Sequence, residues 1–119
     1  MIVEKVDNSR GPGNVVMIEI ESTNVTEIFT GFGERGVRAE AVADTAVKAA
    51  RQYLSTDAAA GEYLADQLII PMALAGGGTF TATRLSRHMT TNIEIVRRFL
   101  DVSVETAQLE NRSYRVEVK

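Results

Sequence analysis

The sequence predicts an α+β fold, with helices packed on one face of a mixed or antiparallel sheet of the four-stranded type. Three observations point to it. Apolar residues alternate with polar ones at both ends of the chain, as half-buried strands require. Between those ends they recur at three- and four-residue steps, as amphipathic helices require. Glycine clusters at 31–36 and 76–78 separate the stretches of different period. The 119 residues suit one domain, and 45% apolar with 24% charged residues is ordinary globular composition.

The elements follow in order. Residues 14–21 (NVVMIEIE) are rich in β-branched side chains, with Val16, Ile18 and Ile20 on one face. A tight turn at Ser22-Thr23-Asn24 leads to a second strand over 25–32, which makes an antiparallel hairpin. Over 39–54, Val42, Ala43, Ala46, Ala50, Tyr53 and Leu54 keep helical spacing. A second helix is expected from about Ala59 to the Pro71 region, where the missing backbone donor should kink or end it. Residues 79–84 (TFTATR) read as a strand. A third helix is expected to start at Thr91, whose hydroxyl and Glu94 have capping-box spacing, with Ile93, Val96 and Leu100 as its apolar stripe. Two strands, 102–107 and 113–119, joined near Glu110-Asn111, close the chain, and Tyr114, Val116 and Val118 alternate with a wet face. The order is β-β-α-α-β-α-β-β within a single domain, 1–119. Residues 1–13 are expected to be loosely ordered, or to hold a strand over 1–10 whose partner lies elsewhere.

Composition narrows the function classes. Without cysteine there is no disulfide framework, thiolate nucleophile or thiolate metal site. The first fourteen residues lack the apolar core of a signal peptide, and the longest apolar stretch, 68–75, is too short to span a bilayer. No membrane partner and a cytoplasmic location are therefore expected. A net charge of −3 is not that of a nonspecific nucleic-acid binder. Any RNA contact must fall to the Arg84, Arg87, Arg97 and Arg98 group or to another part of the protein.

Two stretches offer chemistry. In GEYLADQL, Tyr63, Asp66 and Gln67 stand at i, i+3 and i+4 and share a helical face. A ring, a carboxylate and an amide so arranged can stack a base, bond a sugar or hold a metal. On spacing alone the same face is that of an ordinary solvated helix with a half-buried tyrosine. The only histidine, His88, falls ahead of the third helix, where free amides and a positive dipole end welcome a phosphate. Arg84 and Arg87 are near in sequence. A histidine nucleophile forming a phosphoramidate fits this setting, and so does a surface histidine without a role. The clusters GFGERG and GGG lack the Gly-Lys-Ser/Thr of a phosphate loop and the dinucleotide fingerprint, so they read as turns.

Four stretches taken together carry a resemblance: GPGN at 11–14, FTGFGERGV at 29–37, EYLADQLIIPMALAGGG at 62–78 and HMTTNIEIVRRFL at 88–100. They resemble the C-terminal region of RNA 3′-terminal phosphate cyclases, from about Gly11 to near the chain's end. The resemblance implies a ligase that uses ATP, with Mg2+ or Mn2+, to adenylylate a histidine. AMP then passes to an RNA 3′-phosphate, and the vicinal 2′-hydroxyl attacks to leave a 2′,3′-cyclic phosphate. By the same resemblance, the histidine of the HxxTN stretch is His88, and Tyr63 is the adenine-stacking ring. Asp66 and Gln67 line the nucleotide site, and Asp66 touches the divalent metal. Non-catalytic relatives lack the histidine. The family fold repeats units of two helices on a four-stranded sheet, similar to the C-terminal domain of a translation initiation factor; residues 59–119 fit most of one unit.

Family members are considerably longer, and their N-terminal regions supply arginines, a glutamate and a glutamine that grip ATP, metal and RNA phosphate. A chain of this length is therefore expected to be inactive alone, to self-associate, or to need the N-terminal portion. The alternative is a non-enzymatic RNA- or protein-binding module derived from the same family.

Overall fold

In the computed structural model, which describes residues 1–119, the chain is α+β as expected, with three helices and antiparallel strands. The strands divide between two sheets of two and three strands. Residues 1–14 form no helix or strand, and the expected strand over 1–10 is absent.

The first sheet is a hairpin of β1 (Val15–Glu21) and β2 (Thr26–Phe32), with Ile18 opposite Phe29. Its inner face lies on α1 (Ala39–Leu54), which buries Val42, Ala46, Ala50 and Tyr53. Leu54, grouped with that stripe by spacing, instead points to solvent. The Phe29 and Tyr53 rings meet at 5.3 Å and 45°, an edge-tilted aromatic contact. The Tyr53 hydroxyl donates to the Ala59 carbonyl at 3.1 Å and ties the end of α1 to the next segment. Gly31 is required here, because a Cβ at that position would overlap the Val42 carbonyl of α1.

The second unit begins with Ala60, which makes a one-residue parallel bridge to Ala82. Its amide donates to Thr81 O at 2.9 Å, and its carbonyl accepts from Thr83 N–H at 3.0 Å. The chain continues through α2 (Glu62–Leu74), β3 (Gly78–Ala82), α3 (Arg87–Phe99), β4 (Val104–Gln108) and β5 (Tyr114–Val118). The strands run β3-β5-β4, all antiparallel. Counting the Ala60 bridge, this is a four-stranded-type sheet with two helices on one face. The main core joins Ala65, Ile69 and Ala73 of α2 to Met89, Ile93 and Val96 of α3, over Val104, Val116 and Val118. Burial of each large side chain in that core contributes about 1.5–3 kcal/mol.

Two helix boundaries depart from the sequence reading. α2 starts at Glu62 rather than Ala59 and runs through Pro71 to Leu74, so the proline does not end it. One lost donor is outweighed by burial of Ile69 before the proline and Ala73 after it. α3 starts at Arg87, four residues before Thr91. Ser86 is its cap: the Ser86 hydroxyl accepts from Met89 N–H at 3.0 Å. Thr91 and Glu94 lie inside the helix and are exposed, so the expected capping box does not form. Both serine and threonine suit a cap; burial of Met89 in the core selects the earlier one. No helix is long and apolar enough to cross a membrane.

Candidate functional site

α2 and α3 lie side by side on the sheet, and one polar bond joins them. The side-chain amide of Asn92 donates to Asp66 Oδ1 at 2.6 Å, with both groups half-buried. Tyr63 stands one turn before Asp66 on α2, and Gln67 directly follows it. His88 stands one turn before Asn92 on α3, so it shares the side of α3 that carries the bond. The bond therefore joins the second turns of the two helices, with Tyr63 and His88 each standing one turn before it. Tyr63, 78% exposed, offers its ring to solvent, and Gln67 and His88 are also exposed.

His88 occupies the second position of α3, inside the first turn rather than ahead of the helix. Ser86 satisfies one of the orphan amides there and fixes the turn that presents the imidazole. Of the two neighbouring arginines, Arg84 is turned toward Glu62 of α2, with Nη1 3.5 Å from Oε2. This pair adds a second tie between the start of α2 and the loop before α3. Arg87, beside the histidine, forms no ion pair. At the other end of α3, Arg97 donates to the Val104 carbonyl, so it braces the helix against β4 rather than facing a ligand.

A groove of about 640 Å3 opens between β2, α1 and the start of α2, and Tyr63 stands in its lining with Phe29, Val42 and Gly61. Neither Asp66 nor His88 belongs to that lining, so the groove flanks the helix-pair face. Three side chains had no signal in the sequence strong enough to give them a role. Asn92 was visible only as one letter of the HxxTN stretch, Ser86 was masked by the better-looking Thr91–Glu94 spacing, and Glu27 falls in a strand otherwise read as apolar.

A metal ion is a poorer fit. The chain gathers no three histidine or carboxylate side chains that could hold one. Asp66 commits one oxygen to Asn92, and the carboxylate one turn before it, Glu62, is held by Arg84. These residues alone do not make a metal site.

The model of the family "RNA 3'-terminal phosphate cyclase" matches residues 8–106. The chain belongs to this family. Among proteins named RNA 3'-terminal phosphate cyclase, that of Ectopseudomonas mendocina is 49% identical over 96% of this chain and 33% of its own length. That of Koribacter versatilis is 57% identical over 87% of this chain and 29% of its own. That of Ralstonia nicotianae is 50% identical over 98% of this chain and 33% of its own. The chain thus spans about a third of the length of these relatives. The cyclase family match runs through both packing units, from before the hairpin to within β4, and includes all of α2 and α3.

Proposed function

We propose that this chain carries the adenylate-accepting part of an RNA 3′-terminal phosphate cyclase, with His88 as nucleophile and Tyr63, Asp66 and Gln67 facing the nucleotide. The observation that carries the reading is the Asn92–Asp66 bond, which joins the two helices one turn beyond Tyr63 and His88. A nucleotide laid across that junction has a ring to stack on at Tyr63 and a carboxylate edge at Asp66 for its sugar hydroxyls. Its α-phosphate then reaches the free amides at the start of α3, where the imidazole stands.

The chemistry is two exchanges at phosphorus. A ring nitrogen of His88 bonds to the α-phosphorus of ATP while the bond to pyrophosphate breaks. An RNA 3′-phosphate oxygen then displaces the histidine to give an activated RNA–AMP end. Attack by the adjacent 2′-hydroxyl closes the cyclic phosphate and releases AMP. Arg87 supplies positive charge beside the reacting phosphate. The remaining two thirds of the relatives' length provide further grip on ATP, a divalent ion and the RNA end. Without that portion the substrate is not held in line, and turnover by this chain alone is not expected.

The test is incubation with α-labelled ATP and Mg2+ or Mn2+. A protein-bound label stable to base, labile to acid and lost in His88→Ala is the expected result. Absence of any adduct when the remaining cyclase portion is added overturns the reading.

A further inference from the structure

The one acidic side chain that this fold buries lies outside the candidate site. Glu27 sits on the inner face of β2, only 7% exposed, beside Phe29 and across from α1. It forms no ion pair. Instead its carboxylate accepts the backbone N–H of Gly61, 34 residues later in the chain. Gly61 is the N-cap of α2, and that helix has no side-chain cap of its own. Four amides at a helix start lack internal partners, and the helix dipole places positive charge there. Glu27 therefore supplies from the hairpin what the α2 sequence omits, and the helix start offsets the cost of burying a carboxylate.

Gly61 is shaped to allow this. A Cβ at that position would stand 3.0 Å from Glu27 Oε1, so the carboxylate would have to give by a few tenths of an ångström. Both residues line the groove that also holds Tyr63. Tyr63 follows Gly61 by two residues and Asp66 by five, so both hang on the turn that Glu27 fixes.

We infer that Glu27 is a positioning residue for the nucleotide-facing turn of α2, through which the hairpin unit governs the geometry of Tyr63 and Asp66; this rests on the function proposed above. The hairpin then has a part in the site although it contributes no group that touches substrate. A plain strut between two cores differs from this in one respect: it affects stability without affecting the nucleotide.

The experiment compares the 119-residue chain with its Glu27→Ala, Glu27→Gln and Gly61→Ala variants, using backbone amide exchange and titration with ATP followed by NMR. Glu27→Ala is expected to speed exchange across residues 61–65 by roughly fivefold relative to α3 and β5, the effect of one lost cap. ATP affinity is expected to fall by a similar factor. Glu27→Gln keeps an acceptor oxygen and should recover most of both losses, whereas Gly61→Ala, whose Cβ presses on the carboxylate, should reproduce them in part. Equal loosening of all amides, or a loosened first turn with ATP affinity unchanged, overturns the inference. Should Glu27→Ala not fold, the other two variants decide in the same way. If the unmodified chain alone binds no ATP, the titrations are repeated with the remaining cyclase portion added. Absence of ATP binding even then overturns the functional reading, whereas ATP binding that Glu27→Ala leaves unchanged overturns the inference alone.

Discussion

Asn92 and Asp66 are joined by a 2.6 Å hydrogen bond between the two helices of the larger core, the only side-chain bond linking α2 to α3. Asp66 is thereby a structural acceptor as well as a candidate nucleotide contact, and the two roles can be separated. Asn92→Asp removes the donor and sets two carboxylates against each other. Stability to urea should fall by about 1–3 kcal/mol. Exchanging the two residues, Asp66→Asn with Asn92→Asp, restores a donor–acceptor pair and should recover most of that loss. If a carboxylate on α2 serves the nucleotide, the exchanged variant remains impaired in forming the histidine adduct. Equal stability of all variants would remove this bond from the account.

His88 is exposed and takes no hydrogen bond from the rest of the fold, so its side chain has no structural duty. His88→Ala should therefore unfold within about 0.5 kcal/mol of the unmodified chain. Loss of the ATP-derived label in that variant then reports chemistry rather than misfolding. A large stability loss would make the labelling result uninterpretable as a test of the nucleophile.

Much of the fold was legible because local pattern and tertiary burial agree. The α1 boundaries at Ala39 and Leu54 and the antiparallel pairing of the first two strands follow from local pattern alone. Where two good local signals compete, the core decides. Thr91–Glu94 has the better capping spacing, yet Ser86 caps α3 because Met89 and Ile93 must both reach the core under α2. Pro71 likewise looks like a stop, and tertiary burial of Ile69 and Ala73 carries the helix through it. The split into two sheets was not legible, since strand partners far apart in sequence leave no trace in a period. Of the site, the Tyr63, Asp66 and Gln67 face was visible as i, i+3, i+4 spacing. Glu27 was not, because its partner is a backbone amide on another element.

The cap assignment makes opposite forecasts for two similar residues. Ser86→Ala leaves the Met89 amide without its acceptor, and Ser86 is itself buried. A loss of about 1 kcal/mol is expected. Thr91→Ala changes an exposed position in the helix interior and should be neutral or slightly stabilising, since alanine is the better helix former. Thermal unfolding of the two variants distinguishes them, and a larger loss at Thr91 would return the cap to the later residue.

Association is the last expectation, and it follows from the hairpin. β1 and β2 form a sheet of only two strands, so each has an unpaired edge. Val15 opposes Phe32 in the register, and Met17 and Ile28 share the outer face with them. All four are exposed, Phe32 at 72%, and α1 covers only the inner face. An apolar face beside open edges drives strand pairing or face-to-face contact between copies. The weight-average mass in sedimentation equilibrium should therefore rise with protein concentration. Phe32→Lys places a charge on that face without disturbing Phe29 or Gly31 behind it, and should shift the rise to at least several-fold higher concentration. A mass equal to one chain across the whole concentration range would mean that these side chains do not recruit a second copy. An unchanged rise in Phe32→Lys would move the contact to the other exposed phenylalanine, Phe99, at the end of α3.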